Sequence, residues 1–326
     1  MVIDCVPFFN ELDILKLRLE ILNPIVDKFV IEEARYTFSG QPKELCFEKN
    51  KDMFSEFLHK IDYIVVDELN EKLNTHERDK FQKNHLIKGL VDANDNDVII
   101  IGDVDEIPNP KVLKKLIDTF DCDKVYHLAQ RLFYCFLNME EVSGKLLSIT
   151  GDFEEKKRIP EGRTVEDGIF EHPMWLGTKV LAKKNIPETG IIDVRELSTE
   201  DDNAVRVPNG GWHFGYMGSK HETDVSKRIG VKVVAAAHQE YNTEDILKEA
   251  RDRLLLGQDM FGRDSHFERA EIDESYPDYL REHMKDYDYL IMPKVSAVGK
   301  VLIKIKLKVF RFFRRCKRYI KRHLGK

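Results

Sequence analysis

The segment Gly102-Asp103-Val104-Asp105-Glu106-Ile107-Pro108 follows directly on the uninterrupted apolar run Val98-Ile99-Ile100-Ile101. Two carboxylates at i and i+2, with a third beside them, concentrate negative charge at the end of a strand. A divalent cation with oxygen ligands relieves that charge, and such a cation can bridge a diphosphate. Asp-x-Asp occurs four times, at Asp95/Asp97, Asp103/Asp105, Asp121/Asp123 and Asp286/Asp288. Only the Asp103/Asp105 pair follows a buried-type strand, and in open α/β sheets ligands sit outside the carboxyl ends of strands. The competing reading is a solvated acidic turn leading into a proline-started helix, with the aspartates as caps.

Other segments carry groups suited to the same cleft. Phe29-Val30-Ile31-Glu32-Glu33-Ala34 puts two acids at a second strand end, and Tyr36-Thr37-Phe38-Ser39-Gly40 follows. Arg78-Asp79-Lys80-Phe81-Gln82-Lys83-Asn84 opens a helix with polar groups able to face a phosphate or a base. Gly210-Gly211-Trp212-His213-Phe214-Gly215 is flanked by glycines that allow close backbone approach. Trp212 offers a flat apolar face of the kind on which sugars stack. His213 reads as a metal or diphosphate contact, or as a structural histidine.

These groups need a scaffold, and the first 105 residues alternate strand and helix signals. Strands are expected at Val2–Val6, Lys28–Ile31, Tyr63–Val66 and Val98–Ile101. Helices are expected over Glu11–Leu22, where Leu12, Leu15, Leu19 and Leu22 share a face, over Glu48–His59, and from a Thr75 cap onward. This βαβ succession predicts a parallel, three-layer α/β sheet. Beyond Pro110 the pattern is less regular. Strands are expected within Lys124–Met139, Trp175–Leu181 and Trp212–Tyr216, and helices at Glu222–Ala237 and Thr243–Leu256.

Charge divides the chain in two. Of the 52 basic residues, 12 lie between Lys300 and Lys326, with no Asp or Glu among them; the rest carries all 58 acidic residues and 40 basic ones, a net of −18. The acidic body argues against non-specific nucleic-acid binding. In the tail, Leu302, Ile305, Val309, Phe312, Phe313, Cys316, Ile320 and Leu324 recur at three- and four-residue steps. Lys304, Lys308, Arg311, Arg315, Arg318 and Arg322 share the period on another face. That predicts a basic amphipathic helix suited to an anionic membrane surface, the competing readings being a helix docked on the acidic body or a nucleic-acid-binding tail. The organisation expected is one domain over 1–295 and a basic tail over 296–326. No run approaches the roughly 18 apolar residues of a membrane span, and the N-terminus has no basic n-region. Five scattered cysteines, without a CxxC pair, read as reduced thiols. The expected location is cytoplasmic, peripherally attached to the inner face of a membrane.

Seven pieces, in order, resemble glycosyltransferase family seventeen. They are Asp4-Cys5-Val6-Pro7-Phe8-Phe9-Asn10-Glu11; Val30–Ala34 with Thr37–Gly40; Arg78-Asp79 with Gln82-Lys83-Asn84; Ile100–Pro108; Gly211–Phe214; Ala237-His238-Gln239-Glu240-Tyr241; and Tyr276-Pro277-Asp278-Tyr279-Leu280. The region from about 144 to 209, where acceptor loops are expected, matches poorly. The resemblance implies a GT-A-type three-layer α/β/α sandwich with a mostly parallel sheet. It also implies an inverting, Mn²⁺- (or Mg²⁺-) dependent transfer of N-acetylglucosamine from its UDP-sugar to a hydroxyl of a glycan or lipid-linked glycan. Asp103 and Asp105 would hold the metal. Asn10, Glu33, Arg78, Asn84, Asp103, Trp212 and His213 would bind the donor, and Glu106 or Glu240 would act as base. Two rivals stand beside this reading. A haloacid-dehalogenase-like phosphatase also opens on an apolar strand and Asp-x-Asp, but wants Thr or Val where Ile107 stands and places the motif near the chain start. A sugar-binding protein of the same fold without turnover would not need the intact Asp103/Asp105 pair.

Overall fold

The computed structural model describes residues 1–143, 174–218, 220, 224–236 and 239–324. In chain order the elements are β1 (Val2–Pro7), α1 (Leu12–Leu22), β2 (Lys28–Ala34), α2 (Cys46–Lys49), β3 (Ile61–Val66), α3 (Thr75–Lys83), β4 (Val98–Ile101), β5 (Glu106–Pro108) and α4 (Pro110–Asp118). There follow β6 (Val125–Tyr134), β7 (Met139–Glu141), β8 (Met174–Trp175), β9 (Lys179–Ala182), β10 (Ala204–Gly215), α5 (Val225–Ala235), α6 (Glu244–Leu255), β11 (Phe267–Arg269), α7 (Asp278–Glu282) and α8 (Ala297–Leu324).

The first four long strands pair in parallel in the order β3-β2-β1-β4. This order reverses direction at β1, so the crevice between the carboxyl ends of β1 and β4 is a topological switch point. Both faces of β1, β2 and β4 are covered, as buried strands of a parallel sheet require, whereas the edge strand β3 is half-buried. Val2, Val6, Phe29, Ile31, Val98 and Ile100 face α1 and join the largest core cluster. Ile3, Cys5, Val30, Ile99 and Ile101 face the other way, onto Leu86 and Leu90 of a 3-10 segment and onto Ile191 and Val194. Past β4 the expected parallel sheet becomes mixed: β9 runs antiparallel to β4 and β6, whereas β10 lies parallel to β6 and antiparallel to β5.

Several boundaries differ from expectation for local reasons. The helix expected over Glu48–His59 is the short α2 followed by two 3-10 turns, Lys51–Phe54 and Leu58–Lys60. The cap of α3 is Asn74 rather than Thr75: its side chain accepts from His76 and Glu77, and Glu77 returns a bond to the Asn74 N–H. After Lys83 the helix tightens into the 3-10 segment Asn84–Leu90. The strand signal over Lys124–Met139 is β6, with β7 only beginning at its end. Of the resembling pieces, Ala237 and His238 lie outside the described residues, as does much of the acceptor region (144–173).

One buried ion pair ties the sheet to the acidic turn. Arg18 on α1 and Asp4 on β1 are both fully buried, joined by bonds of 2.7 Å from Nε and Nη2. The remaining Arg18 nitrogen donates to the carbonyls of Asp103 (3.2 Å) and Glu106 (2.6 Å). Removing one member of such a pair leaves an uncompensated buried charge. Arg18→Met is therefore expected to lower stability by about 3–5 kcal/mol, and Asp4→Leu/Arg18→Met to recover much of the loss. Urea denaturation of the three proteins checks this, and a single-variant loss below about 1 kcal/mol would show that the pair does not anchor the turn.

Candidate active site

Asp103 and Asp105 stand just beyond the end of β4, and the chain around them fixes their backbone. The Asp105 carbonyl accepts from the Phe214 N–H at 2.7 Å. Strand β5 pairs with β10 so that Glu106 lies opposite His213. At Gly211 in that pairing φ is +139°, and a Cβ would lie 2.1 Å from the Ile107 carbonyl oxygen, so only glycine lets the strands meet.

Glu106 is fully buried and its carboxylate is saturated. Arg195 donates two bonds (3.0 and 2.7 Å), Trp175 Nε1 one (2.8 Å), Thr178 Oγ1 one (3.1 Å) and the Asp103 N–H one (3.1 Å). Burial alone would raise its pKa, but Arg195 prevails and holds it below the usual value. Gly177 leaves room for this arrangement, since a Cβ there would lie 2.2 Å from Glu106 Oε1. As placed, Glu106 anchors Arg195 and offers no open oxygen to an acceptor. Glu240, the other candidate base, is exposed on the 3-10 turn Gln239–Tyr241 after α5.

The two aspartates differ electrically. Asp103 pairs with Lys83 (3.1 Å) and Arg195 (3.2 Å). Against the upward push of burial, Arg195 and Lys83 hold its pKa well down. Asp105 meets Lys232 of α5 at 3.2 Å and His213 Nε2 at 3.5 Å. Lys232 sits closer to Glu11, at 2.7 Å. Burial therefore prevails at Asp105 and raises its pKa despite Lys232 and His213. Asp103 is well compensated, and Asp105 is not.

Among the described residues, these pairs join five carboxylates (Glu11, Asp79, Asp103, Asp105, Glu106) to three permanent cations (Lys83, Arg195, Lys232). The excess of two negative charges, the under-compensated Asp105 and the buried, unpartnered His213 Nδ1 suit a hard divalent cation. Asp105 would be its main ligand, with Asp103 alongside. A second group with metal-ligand spacing, Asp121, Cys122 and Asp123, is largely exposed, and Lys184 occupies Asp123. It precedes β6, at the opposite end of the sheet from the crevice.

Further polar groups line the same strand ends. Asn10, after β1, has its Oδ1 buried and unpartnered, as does Glu32 at Oε1 near the end of β2. Other candidates face inward. Glu33 accepts from Lys43, the Cys46 and Phe47 N–H groups and the Tyr63 hydroxyl, so it caps α2. Arg78 donates to the carbonyls of Phe38 and Leu73, which ties down the loop after β2. Asn84 Oδ1 accepts from the Ile192 N–H, steadying the 3-10 segment Ile191–Glu196 that delivers Arg195. Trp212 is buried in the main core with its indole N–H on the Ser275 carbonyl, because alternation along β10 turns it away from His213. The indole at the site is that of Trp175, 4.7 Å from the His213 ring. Sequence reasoning did not single out Glu11, Trp175, Arg195 or Lys232. Glu11 stood in the matching Asn10-Glu11 piece, whereas the other three carry no local signal.

Burial raises the Glu32 pKa to about 8, with Lys83 and Lys43 opposing it. The folded state then holds a proton that the unfolded chain releases above its ordinary value of 4.5. The sign follows directly: stability contributed by this group is full below the unfolded value and is lost as pH rises toward 8, at up to about 1.4 kcal/mol per pH unit. Glu32→Gln should flatten that slope. Urea midpoints from pH 5 to 8 check it, and an unchanged slope would place Glu32 in a wetter setting.

Residues 1–146 match the model of Glycosyltransferase family 17. Proteins named β-1,4-mannosyl-glycoprotein 4-β-N-acetylglucosaminyltransferase from Rattus norvegicus and Homo sapiens are each 28% identical over 157 residues, covering 44% of this chain and 29% and 30% of theirs. The Mus musculus protein of that name is 27% identical over the same length. The chain thus spans less than a third of the length of these curated relatives. The match to the glycosyltransferase family 17 model spans β1 to β7, where the switch-point crevice and its Asp103-Val104-Asp105 turn are built.

Proposed function

We propose that this chain is a GT-A-type, inverting glycosyltransferase that moves N-acetylglucosamine from a UDP-sugar to a hydroxyl of a glycan or lipid-linked glycan, with residues 1–295 as its catalytic body. The observation that carries the reading is the uneven pair Asp103/Asp105 at the switch point, in the stretch that matches a glycosyltransferase family. The name of the similar proteins supports the sugar and the acceptor hydroxyl.

Mn²⁺ or Mg²⁺, when bound, would neutralise charge on the leaving diphosphate. Asp105 and Asp103 would hold it, with His213 adjacent. Lys83 and Arg195 keep Asp103 ionised and fixed. Lys232, shared between Glu11 and Asp105, would meet phosphate oxygens from its Glu11 anchor once Asp105 is otherwise engaged. Asn10 Oδ1 and the protonated Glu32 offer an acceptor and a donor for the hydroxyls or base of the nucleotide. The proposed base is Glu240, the exposed member of the two candidates. Glu33, Arg78 and Asn84 act on the donor through the loops they hold, and Trp175 replaces Trp212 as the aromatic group of the site.

The test is a panel of nucleotide-sugars read by UDP release, with and without Mn²⁺. A transferase cleaves its donor slowly without acceptor, a phosphatase frees phosphate from simple esters, and a binding protein does neither. Chelation should abolish turnover and Mn²⁺ should restore it. Asp105→Asn should fold normally but lose most activity, and full activity of that variant in excess chelator would refute the metal role. Glu240→Gln should lower kcat by about 10²–10⁴-fold with donor affinity kept; an unchanged kcat would move the base elsewhere.

A further inference from the structure

Helix α8 docks on the body through only one of its faces. Leu307 is buried, and Ile303 packs on the second core cluster. Arg311 donates two bonds to Glu249 of α6 (3.0 and 2.8 Å), Lys306 reaches Asp252 at 2.6 Å, and Arg314 lies 3.4 Å from Asp245. The basic face is thus turned toward the acidic helix beside it. The opposite face is left open and apolar.

At 3.6 residues per turn, Leu302, Ile305, Val309, Phe312, Phe313 and Ile320 fall on one stripe about 100° wide. All six are exposed, Phe312 and Phe313 by 63% and 65%. Scattered exposed apolar residues need no explanation, but a continuous stripe along a 28-residue helix does. Its two edges are cationic: Lys304, Lys308 and Arg315 follow one, and Lys317 follows the other, where Lys306 is already held by Asp252.

We infer that α8 lies in the plane of an anionic lipid bilayer, its open stripe among the acyl chains and its edge cations at the headgroups. Charge selects the occupant. An apolar stripe between cationic edges matches the layered chemistry of an anionic interface. A second copy of the same helix would set cation against cation. The acidic groups of this chain nearest α8, Asp245, Glu249 and Asp252, already lie on its other face. No helix among the described residues is long and apolar enough to cross a membrane, so attachment would be to one surface. Through α6 and α5, the helix bearing Lys232, the cleft sits two helices from that surface. The attachment is independent of the reaction the cleft performs.

The experiment is flotation of the full chain with phosphatidylcholine vesicles, with and without phosphatidylserine. The chain is expected to float with the anionic vesicles only. Phe312→Ser/Phe313→Ser touches exposed side chains, so its melting temperature should stay unchanged while partitioning falls at least about tenfold. Lys304→Glu/Lys308→Glu/Arg315→Glu should lower it further, and added salt should weaken the wild type. Failure of the wild type to float, or equal flotation of the folded Phe variant, overturns the proposal. A concentration-dependent dimer that the Phe variant dissolves would also overturn it, by making a second copy the occupant.

Discussion

A guanidinium without solvent contact lies beneath the turn that carries Asp103 and Asp105, and a single carboxylate, Asp4, balances its charge. Arg18 donates upward to carbonyls at both ends of the turn, so the turn cannot shift without unpairing a buried cation. The same bonds fix α1 to β1 and β4 at the switch point. Desolvating Arg18 and Asp4 is costly and need not add net stability. The arrangement's value is geometric: it holds two acidic side chains close together at the end of a parallel strand, where their repulsion would otherwise open the turn.

Above that anchor, the acids are divided by their partners. Glu106, saturated by Arg195, Trp175 and Thr178, has become part of the framework. Asp103 shares Arg195 with it and takes Lys83 as well. Asp105 shares its lysine with Glu11 and gets the longer contact. Three adjacent carboxyl groups in seven residues thus reach three electrostatic states. Only the least compensated of them keeps a call on a further cation, and this gives the Asp-x-Asp spacing its chemical meaning here.

The legible part of the fold was the part set by local pattern. Continuous apolar runs gave β1, β2 and β4, and the periodic leucines gave α1, because burial on both faces or on one face writes itself into adjacent residues. The placement of Asp103 and Asp105 after β4 followed from the same logic. Partners brought from far along the chain could not be read this way. Arg195 and Lys232 lie in unremarkable stretches, and their roles arise only when β9, β10 and α5 close over the crevice. Trp212 shows the reverse error: its glycine-flanked setting looked like a ligand platform, yet strand alternation sends it into the core and its neighbour His213 to the site. Glu33 and Arg78 looked placed to meet a ligand, but Glu33 is taken up by Lys43, Tyr63 and the first N–H groups of α2, and two Arg78 nitrogens by the carbonyls of Phe38 and Leu73.

The site is also assembled across the limit of the family match. Asp4, Glu11, Arg18, Asp79, Lys83, Asp103, Asp105 and Glu106 all lie within residues 1–146, whereas Trp175, Arg195, His213 and Lys232 lie beyond them. The acids and their anchor therefore come from the matched part of the chain, and two of the three permanent cations that balance them come from the remainder. In a buried cluster each cation sets how strongly its carboxylate is held. Exchanging Arg195 or Lys232 would thus retune Asp103 and Asp105 without altering either one. The unmatched part of the chain is accordingly part of the site's electrostatic frame. It supplies two of the cations that set the charge state of the Asp103–Glu106 turn.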